Sequence, residues 1–153
     1  MRNHRSHATI FILLSFLGTL LGGRHGVAAD KIAGPVAAEL IRVIDGDTVL
    51  VSAMPWPDHH VTTYVRLRGI DAPELKSRCP AIRNAAQQAQ STLTNLLNAS
   101  PVVALTEISG DKYYGRVVAA LTLADGSDPA EALLSAGLVD PYRGGRKKTV
   151  ACS

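Results

Sequence analysis

Apolar residues of this chain recur first at every second position, then at the spacing of a helix, and then again at every second position. This order limits the folds that the chain can adopt. Residues 36–44 and 48–53 are rich in apolar and β-branched side chains. The Asp45-Gly46 pair between them is typical of a turn that joins two antiparallel strands. The first part of the chain therefore predicts a hairpin.

A third strand is indicated by strict alternation. After a loop predicted at 55–60, apolar and polar side chains alternate over residues 61–67. Because successive residues of a strand point to opposite faces, Arg66 and Arg68 share one face and the apolar residues take the other.

The helical period appears next. Within 80–99, one face would carry the apolar residues Ile82, Ala85, Ala86, Ala89, Leu93, Leu96 and Leu97. Residues 101–108 and 117–123 are again strand-like. Asp128 is typical of the start of a second helix, and Gly137 of its end. The order predicts an α+β fold, a five-stranded OB-fold β-barrel with two packed helices.

Residues 1–29 have the pattern of a secretory signal peptide. Two arginines precede an apolar run over 8–21, and small residues follow at 27–29. The run is shorter than the ~18 apolar residues of a spanning helix, with an uncleaved membrane anchor as the alternative. We predict cleavage after Ala29 and a periplasmic or secreted mature domain, residues 30–153, without stable membrane association.

Net charge gives no independent evidence for a nucleic-acid partner. The chain has 16 Lys and Arg against 13 Asp and Glu, a formal charge of +3 at pH 7. The three arginines of the predicted leader account for that excess. Any attraction of a polyanion by the mature domain must therefore come from local clusters of charge.

The two cysteines of the chain, Cys79 and Cys152, both lie in the predicted mature domain. An even pair in an exported protein indicates a disulfide, and two unpaired thiols are the alternative. A bridge that closes so long a loop is expected to stabilise the fold by about 4 kcal/mol in the chain-entropy model.

Three short stretches carry charges that a phosphodiester can use. Asp-Gly-Asp-Thr occupies 45–48, Arg-Leu-Arg-Gly-Ile-Asp-Ala-Pro-Glu occupies 66–74, and Tyr-Tyr-Gly-Arg occupies 113–116. An isolated Asp-Gly-Asp also makes an ordinary turn. It is not an EF-hand loop, because Leu50 stands where that loop needs glycine. Zinc is not expected, because the histidines at 59–60 are adjacent and lack a cluster of further ligands.

The side chains in these stretches suit one reaction. The carboxylates of Asp47 and Asp71 suit a hard cation such as Ca²⁺. The guanidinium groups of Arg66 and Arg116 match phosphate oxygens, and Glu74 can take a proton from water. Together they predict metal-assisted hydrolysis of a phosphodiester.

The order and spacing of the three stretches resemble those of the thermonuclease family, the staphylococcal-nuclease-like enzymes. The resemblance covers residues 43–142, and 66–74 is its most specific part. It implies an OB-fold and Ca²⁺-dependent cleavage of DNA and RNA. It places Asp47 and Asp71 at the Ca²⁺, with the backbone carbonyl of Ala72 as a further ligand.

The resemblance also implies roles for residues around the phosphate. Arg66 and Arg116 would stabilise charge in the transition state, Glu74 would be the base, and Tyr114 would lie near a 5′-phosphate. The family often has Thr where this chain has Ala72. It also has one tyrosine fewer before Gly-Arg, so Asp111 receives no role.

Tyr142 is an aromatic residue beside a basic cluster. It can stack on a base while the cations hold the backbone, and a solvated C-terminus is the alternative. The cluster consists of Arg143, Arg146, Lys147 and Lys148.

Two other classes of function remain open at this point: a catalytically silent OB-fold module that binds nucleic acid, and a structural protein of the cell envelope. A silent module would be expected to lose the acids or the arginines, and this chain keeps them. The leading prediction is therefore an exported, monomeric, Ca²⁺-dependent nuclease for DNA and RNA with low sequence specificity.

Overall fold

The predicted strands and helices occur in the predicted order, and three further strands of two residues each are present. The structure, a computed structural model, describes residues 31–145 and Cys152. Its elements are β1 (Lys31–Ile32), β2 (Val36–Val43), β3 (Thr48–Trp56), β4 (His59–Leu67), β5 (Ile70–Asp71), α1 (Pro80–Asn98), β6 (Val102–Gly110), β7 (Arg116–Thr122), α2 (Pro129–Ser135) and β8 (Asp140–Pro141).

Five of these strands close a mixed barrel. Strand β2 pairs with β3, β3 with β4, and β6 with both β7 and β2, all antiparallel. The parallel pairing of β4 with β7 completes the ring, and β1 extends it beside β6. The predicted fold, a five-stranded OB-type barrel with two helices, is confirmed.

The barrel interior is filled by alternate residues of its strands. Val49, Val51 and Val65 are fully buried. The alternation predicted for residues 61–67 holds in the second half of β4, where Val65 and Leu67 are buried, but Val61 is 47% exposed. The buried residues of α1 come from the predicted apolar stripe, namely Ala86, Ala89, Leu93 and Leu97. That helix packs against α2 and β2.

The second helix begins and ends where the sequence indicates. The carboxylate of Asp128 accepts a hydrogen bond from the Ala130 amide at 2.7 Å, which satisfies a donor that the first turn leaves unpaired. Gly137, with φ of 66°, follows the last turn.

The loop predicted at 55–60 is wrong. Strand β3 continues to Trp56, which pairs with His59 on β4, so only a two-residue turn separates the strands. Asp58 adopts φ of 61°, a conformation that aspartate tolerates better than most residues. The hydrophobic pattern missed this extension because residues 56–60 are all exposed and do not alternate.

Two short strands lie outside the barrel and help to build the site. Ile70 pairs with Pro141 and Asp71 with Asp140, and the Tyr142 amide donates to the Gly69 carbonyl at 2.7 Å. The segment that follows α2 therefore holds the strand that carries Asp71.

The disulfide predicted between Cys79 and Cys152 is present, with Cα atoms 5.6 Å apart. Within residues 31–145, no helix has the length and apolar character needed to span a membrane. The predicted signal peptide at 1–29 and the basic residues at 146–148 lie outside the described residues.

Candidate active site

The Asp-Gly-Asp-Thr turn is fixed from three sides. The Ile44 amide donates to the Thr48 carbonyl at 2.9 Å, which closes the turn, and the Leu67 amide donates to the Asp47 carbonyl at 2.8 Å. From α1, the Gln90 side-chain amide donates to the Ile44 carbonyl at 2.8 Å. This role for Gln90 could not be predicted from the sequence, because a glutamine on an amphipathic helix usually faces solvent.

Gly46 is required by close packing. A Cβ atom at this position would lie 2.7 Å from the Cβ of Ala89 on α1 and 2.9 Å from the Cβ of Ala72. Both distances are shorter than a carbon–carbon contact permits, so a larger residue would push the turn away from the helix. The glycine thereby sets the depth at which Asp47 sits.

Asp47 is buried, and both of its carboxylate oxygens accept hydrogen bonds. One carboxylate oxygen accepts from the Arg66 guanidinium at 2.7 Å and from the Thr48 hydroxyl at 2.8 Å. The other accepts from the Ala72 amide at 2.8 Å. Asp45 lies beside it and accepts from the Asp47 amide at 3.0 Å.

Arg66 joins the two predicted metal ligands. One end of its guanidinium binds Asp47 at 2.7 Å, and the other binds Asp71 at 2.6 Å and donates to the Ile70 carbonyl at 3.3 Å. Because one planar group contacts both carboxylates, the acids of two separate motifs converge in space. The convergence depends on β4 lying between the turn and β5.

Burial governs the electrostatics of this cluster. It raises the pKa of the Asp47 carboxyl, although the Ala72 amide and Arg66 both favour the charged form. Burial alone would lower the pKa of Arg66, but the charges of Asp47 and Asp71 outweigh it and raise that pKa. Arg66 therefore stays cationic. Additional positive charge near Asp47 would stabilise the charged form of its carboxyl.

The second predicted phosphate ligand, Arg116, is also held in place. Its Nε donates to the Asp111 carboxylate at 2.5 Å, and its guanidinium lies 4.6 Å from the centre of the Tyr113 ring. Asp111 and Tyr113 were not predicted as site residues. An acid five residues before the arginine was a visible signal, but the extra tyrosine obscured the register.

A cavity of about 790 Å³ connects these groups. Its lining includes the predicted residues Asp47, Arg66, Ala72, Glu74, Arg116 and Tyr142. Asp71 is not part of that lining and reaches the site through Arg66. The Tyr142 ring centre lies 5.7 Å from the Arg66 guanidinium carbon, which places an aromatic face beside the positive charge of Arg66.

A family model for staphylococcal nuclease homologues matches residues 64–150, which is more than half of the chain. The chain belongs to this family. The predicted family resemblance is therefore confirmed. The match contains Arg66, Asp71, Glu74 and Arg116 but begins after the Asp-Gly-Asp-Thr turn, so it is the fold that brings Asp47 to them. A search of curated proteins gave no match.

As a staphylococcal nuclease homologue, the chain has a nuclease-like fold, which implies nucleic acids as the class of substrate. One predicted contact does not fit this geometry. The Tyr114 side chain is fully exposed and is absent from the cavity lining, whereas Tyr113 is part of it. Because this chain has one more residue before Gly115 than the family pattern, Tyr113 rather than Tyr114 lines the cavity.

The residues predicted to hold a metal ion offer only oxygen donors. Within 31–145 there is no group of three or more His, Cys, Asp and Glu side chains arranged to hold a metal. Asp47, Asp71 and the Ala72 carbonyl are two carboxylates and one neutral oxygen, which suit a hard cation that keeps several waters. His59 and His60 are exposed at the hairpin turn. The chemistry of the site therefore fits Ca²⁺ better than Zn²⁺.

Proposed function

We propose that this family member is an exported, Ca²⁺-dependent nuclease that hydrolyses phosphodiester bonds of DNA and RNA with low sequence specificity. One observation carries the proposal. Arg66 forms ion pairs with Asp47 and Asp71 at the wall of a cavity that is also lined by Glu74 and Arg116. The arginines can bind the phosphates of a nucleic-acid backbone, and the carboxylates can bind a cation beside them.

Asp47, Asp71 and the Ala72 carbonyl would hold the ion. Ca²⁺ bound there supplies positive charge that polarises a phosphoryl oxygen and makes a bound water more acidic. The buried Asp47 charge supports this assignment, because burial without enough compensating charge raises its pKa. With so few protein ligands, we expect weak binding, in the range of ~10⁻⁴ to 10⁻³ M.

The two arginines would bind the phosphate and stabilise charge that develops on it. Both are preorganised by acids, Arg66 by Asp47 and Asp71, and Arg116 by Asp111. A group that is already fixed in direction needs little reorganisation when charge appears, which makes such groups effective in transition-state stabilisation.

Glu74 would accept a proton from the attacking water. It lies in the cavity lining and follows Pro73, whose ring restricts the backbone. A local hydrogen bond from the Ser77 amide to the Glu74 carbonyl, 3.1 Å long, further limits the segment. An oriented carboxylate beside a bound phosphate is suited to general base catalysis.

Low sequence specificity is supported by the character of the lining. Among the cavity-lining residues within 31–145 there is no Asn or Gln, the side chains that most often read adenine edges. Tyr113 and Tyr142 offer aromatic faces instead, and every base can stack on those. The backbone and the stacking surface would therefore supply most of the contact.

Export is supported by two independent features. The leader pattern at 1–29 predicts a mature chain that begins at Asp30. The Cys79–Cys152 bridge suits an oxidising compartment such as the periplasm or the exterior. Amino-terminal sequencing of the exported protein checks this, and an intact leader in the membrane fraction would favour an anchor instead.

The function is tested by incubating the mature protein with plasmid, single-stranded DNA and RNA in Ca²⁺ and in chelator. We expect cleavage of all three in Ca²⁺, loss of cleavage in Asp47→Asn, and parental activity in Glu131→Gln, an exposed acid on α2. Retention of DNA without cleavage would identify a binding module. Neither cleavage nor retention would point to a structural role.

A further inference from the structure

A row of side chains runs from the cavity across the outer face of the barrel. Arg116 on β7 is in register with Tyr64 on β4, Tyr64 with Leu50 on β3, and Leu50 with Arg42 on β2. The residues on either side of Leu50, and the one after Tyr64, are buried valines, so the row points away from the core. We call Arg42, Leu50, Tyr64 and Arg116 the outer row.

A bulge in β2 aims Arg42 into this row. Leu40 pairs with Val51, but the next pair is Arg42 with Leu50, so Ile41 is an extra residue. Ile41 and Arg42 are both exposed. Bulges commonly redirect a side chain at the edge of a functional surface. If β2 continued without the bulge, Ile41 would pair with Leu50, and Arg42 would pair with Val49 and face the barrel interior.

The exposed members of the outer row have few interactions with the rest of the protein. Tyr64 is 40% exposed, although a large aromatic side chain usually buries its ring. In the part of the chain that the structure describes, Arg42 forms neither an ion pair nor a side-chain hydrogen bond. An unpaired cation and an open aromatic ring are thus left available on a surface continuous with the cavity.

We propose that the outer row binds single-stranded nucleic acid as it leaves the cavity. Tyr64 stacks on a base, Leu50 supports the edge of that base, and Arg42 contacts a phosphate. The order cation, aromatic, apolar, cation matches a strand in which charged phosphates alternate with apolar base faces. This inference rests on the proposed function, because the strand enters from the phosphate site at Arg116.

The length of the outer row fits more than the single phosphate held in the cavity. Three spacings between adjacent strands, at ~4.8 Å each, give roughly 14 Å. The row therefore favours single strands, because the bases of a duplex are stacked on each other and present no free face to Tyr64.

Binding is tested with a fluorescent oligothymidylate and Glu74→Gln protein as the background, so that cleavage does not interfere. Adding Tyr64→Ala should weaken binding by about 5- to 150-fold, which corresponds to one stacked base. Tyr64→Trp should restore it. Arg42→Gln should reduce the slope of log affinity against log salt by about 0.7, as for one lost phosphate contact on a single strand.

Thr62→Ala is the matched control, since Thr62 is exposed on β4 and pairs with Ser52 rather than with a member of the row. It should bind like the background protein. Equal affinity of the Tyr64→Ala and Thr62→Ala proteins, both folded by circular dichroism, would overturn the proposal. So would an unchanged salt slope in Arg42→Gln.

Catalysis separates this inference from the proposed function. In the parent background, Tyr64→Ala should raise KM for a long oligonucleotide more than KM for a small nitrophenyl phosphodiester that fills only the cavity. Equal effects on both would overturn the outer row and leave the nuclease standing. Tyr64-dependent binding by a parent chain that cleaves nothing would support the row and reject the nuclease.

A dimer that Tyr64→Ala dissociates, without loss of oligonucleotide affinity, would assign the row to a second copy and overturn it.

Discussion

Replacing Arg66 by methionine should destabilise the metal-free protein by about 3 kcal/mol. Arg66 binds Asp47 and Asp71 at 2.7 and 2.6 Å, and the three side chains are 13%, 4% and 15% exposed. Removing one partner of a buried ion pair costs about 3–5 kcal/mol. We expect the lower end, because Asp47 keeps its bonds from the Ala72 amide and the Thr48 hydroxyl.

The free energy of unfolding is measured by urea titration in chelator with circular dichroism. Trp56 is 56% exposed and would report unfolding poorly by fluorescence. Arg42→Met is the control, since Arg42 is exposed, and it should change stability by no more than about 0.5 kcal/mol. If folded Arg66→Met matches that control, Arg66 does not hold the two acids together and the account of the site is wrong.

Calcium gives the same variant a second readout. Because Ca²⁺ would supply positive charge to the two acids that lose Arg66, it should stabilise the variant more than the parent. A ligand at 100 times its Kd stabilises a protein by about 2.7 kcal/mol. Because the gain should be larger for the variant, the difference in free energy of unfolding between the two proteins should narrow. If Ca²⁺ stabilises neither protein, Asp47 and Asp71 are not its ligands.

Three further changes test other parts of the account. Glu74→Gln should lower turnover by about 10² to 10⁴ with Ca²⁺ affinity near the parent's, and parental turnover would reject the base role. Gly46→Ala should lower the free energy of unfolding by about 1–3 kcal/mol in a urea titration, because the new Cβ would lie 2.7 Å from the Cβ of Ala89. Parental stability would show that α1 can move to make room for the methyl group. Reducing the Cys79–Cys152 bridge, which spans 73 residues, should remove about 4 kcal/mol, and an unchanged melting temperature would contradict this.

The elements of the fold could be predicted because their signals are local. The alternation in the second half of β4 and the apolar stripe of α1 report which faces are buried, and the barrel places those faces inside. Strands β5 and β8 could not be predicted, because each has two residues and forms only through pairing across a long stretch of chain. The tip of the β3–β4 hairpin was missed because both faces of it are exposed.

The candidate site was predictable in its residue types and less so in its contacts. Asp47, Arg66 and Asp71 stand in recognisable motifs, and the structure joins them. Their bridging geometry, however, depends on the register between β3 and β4, which no motif contains. The Asp111–Arg116 pair and the place of Tyr113 depend on the turn before β7, where Gly115 adopts φ of 78° and one additional residue changes which ring reaches the cavity.

The central claim is that this cluster hydrolyses phosphodiesters with the help of a cation bound by its acids. The most direct test is the initial rate of single-stranded DNA cleavage as a function of Ca²⁺ concentration, for the parent and for Asp71→Asn. The account predicts no cleavage in chelator, saturable activation of the parent, and a higher Ca²⁺ requirement in the variant. Cleavage that persists in chelator, or identical Ca²⁺ curves for the two proteins, would contradict it.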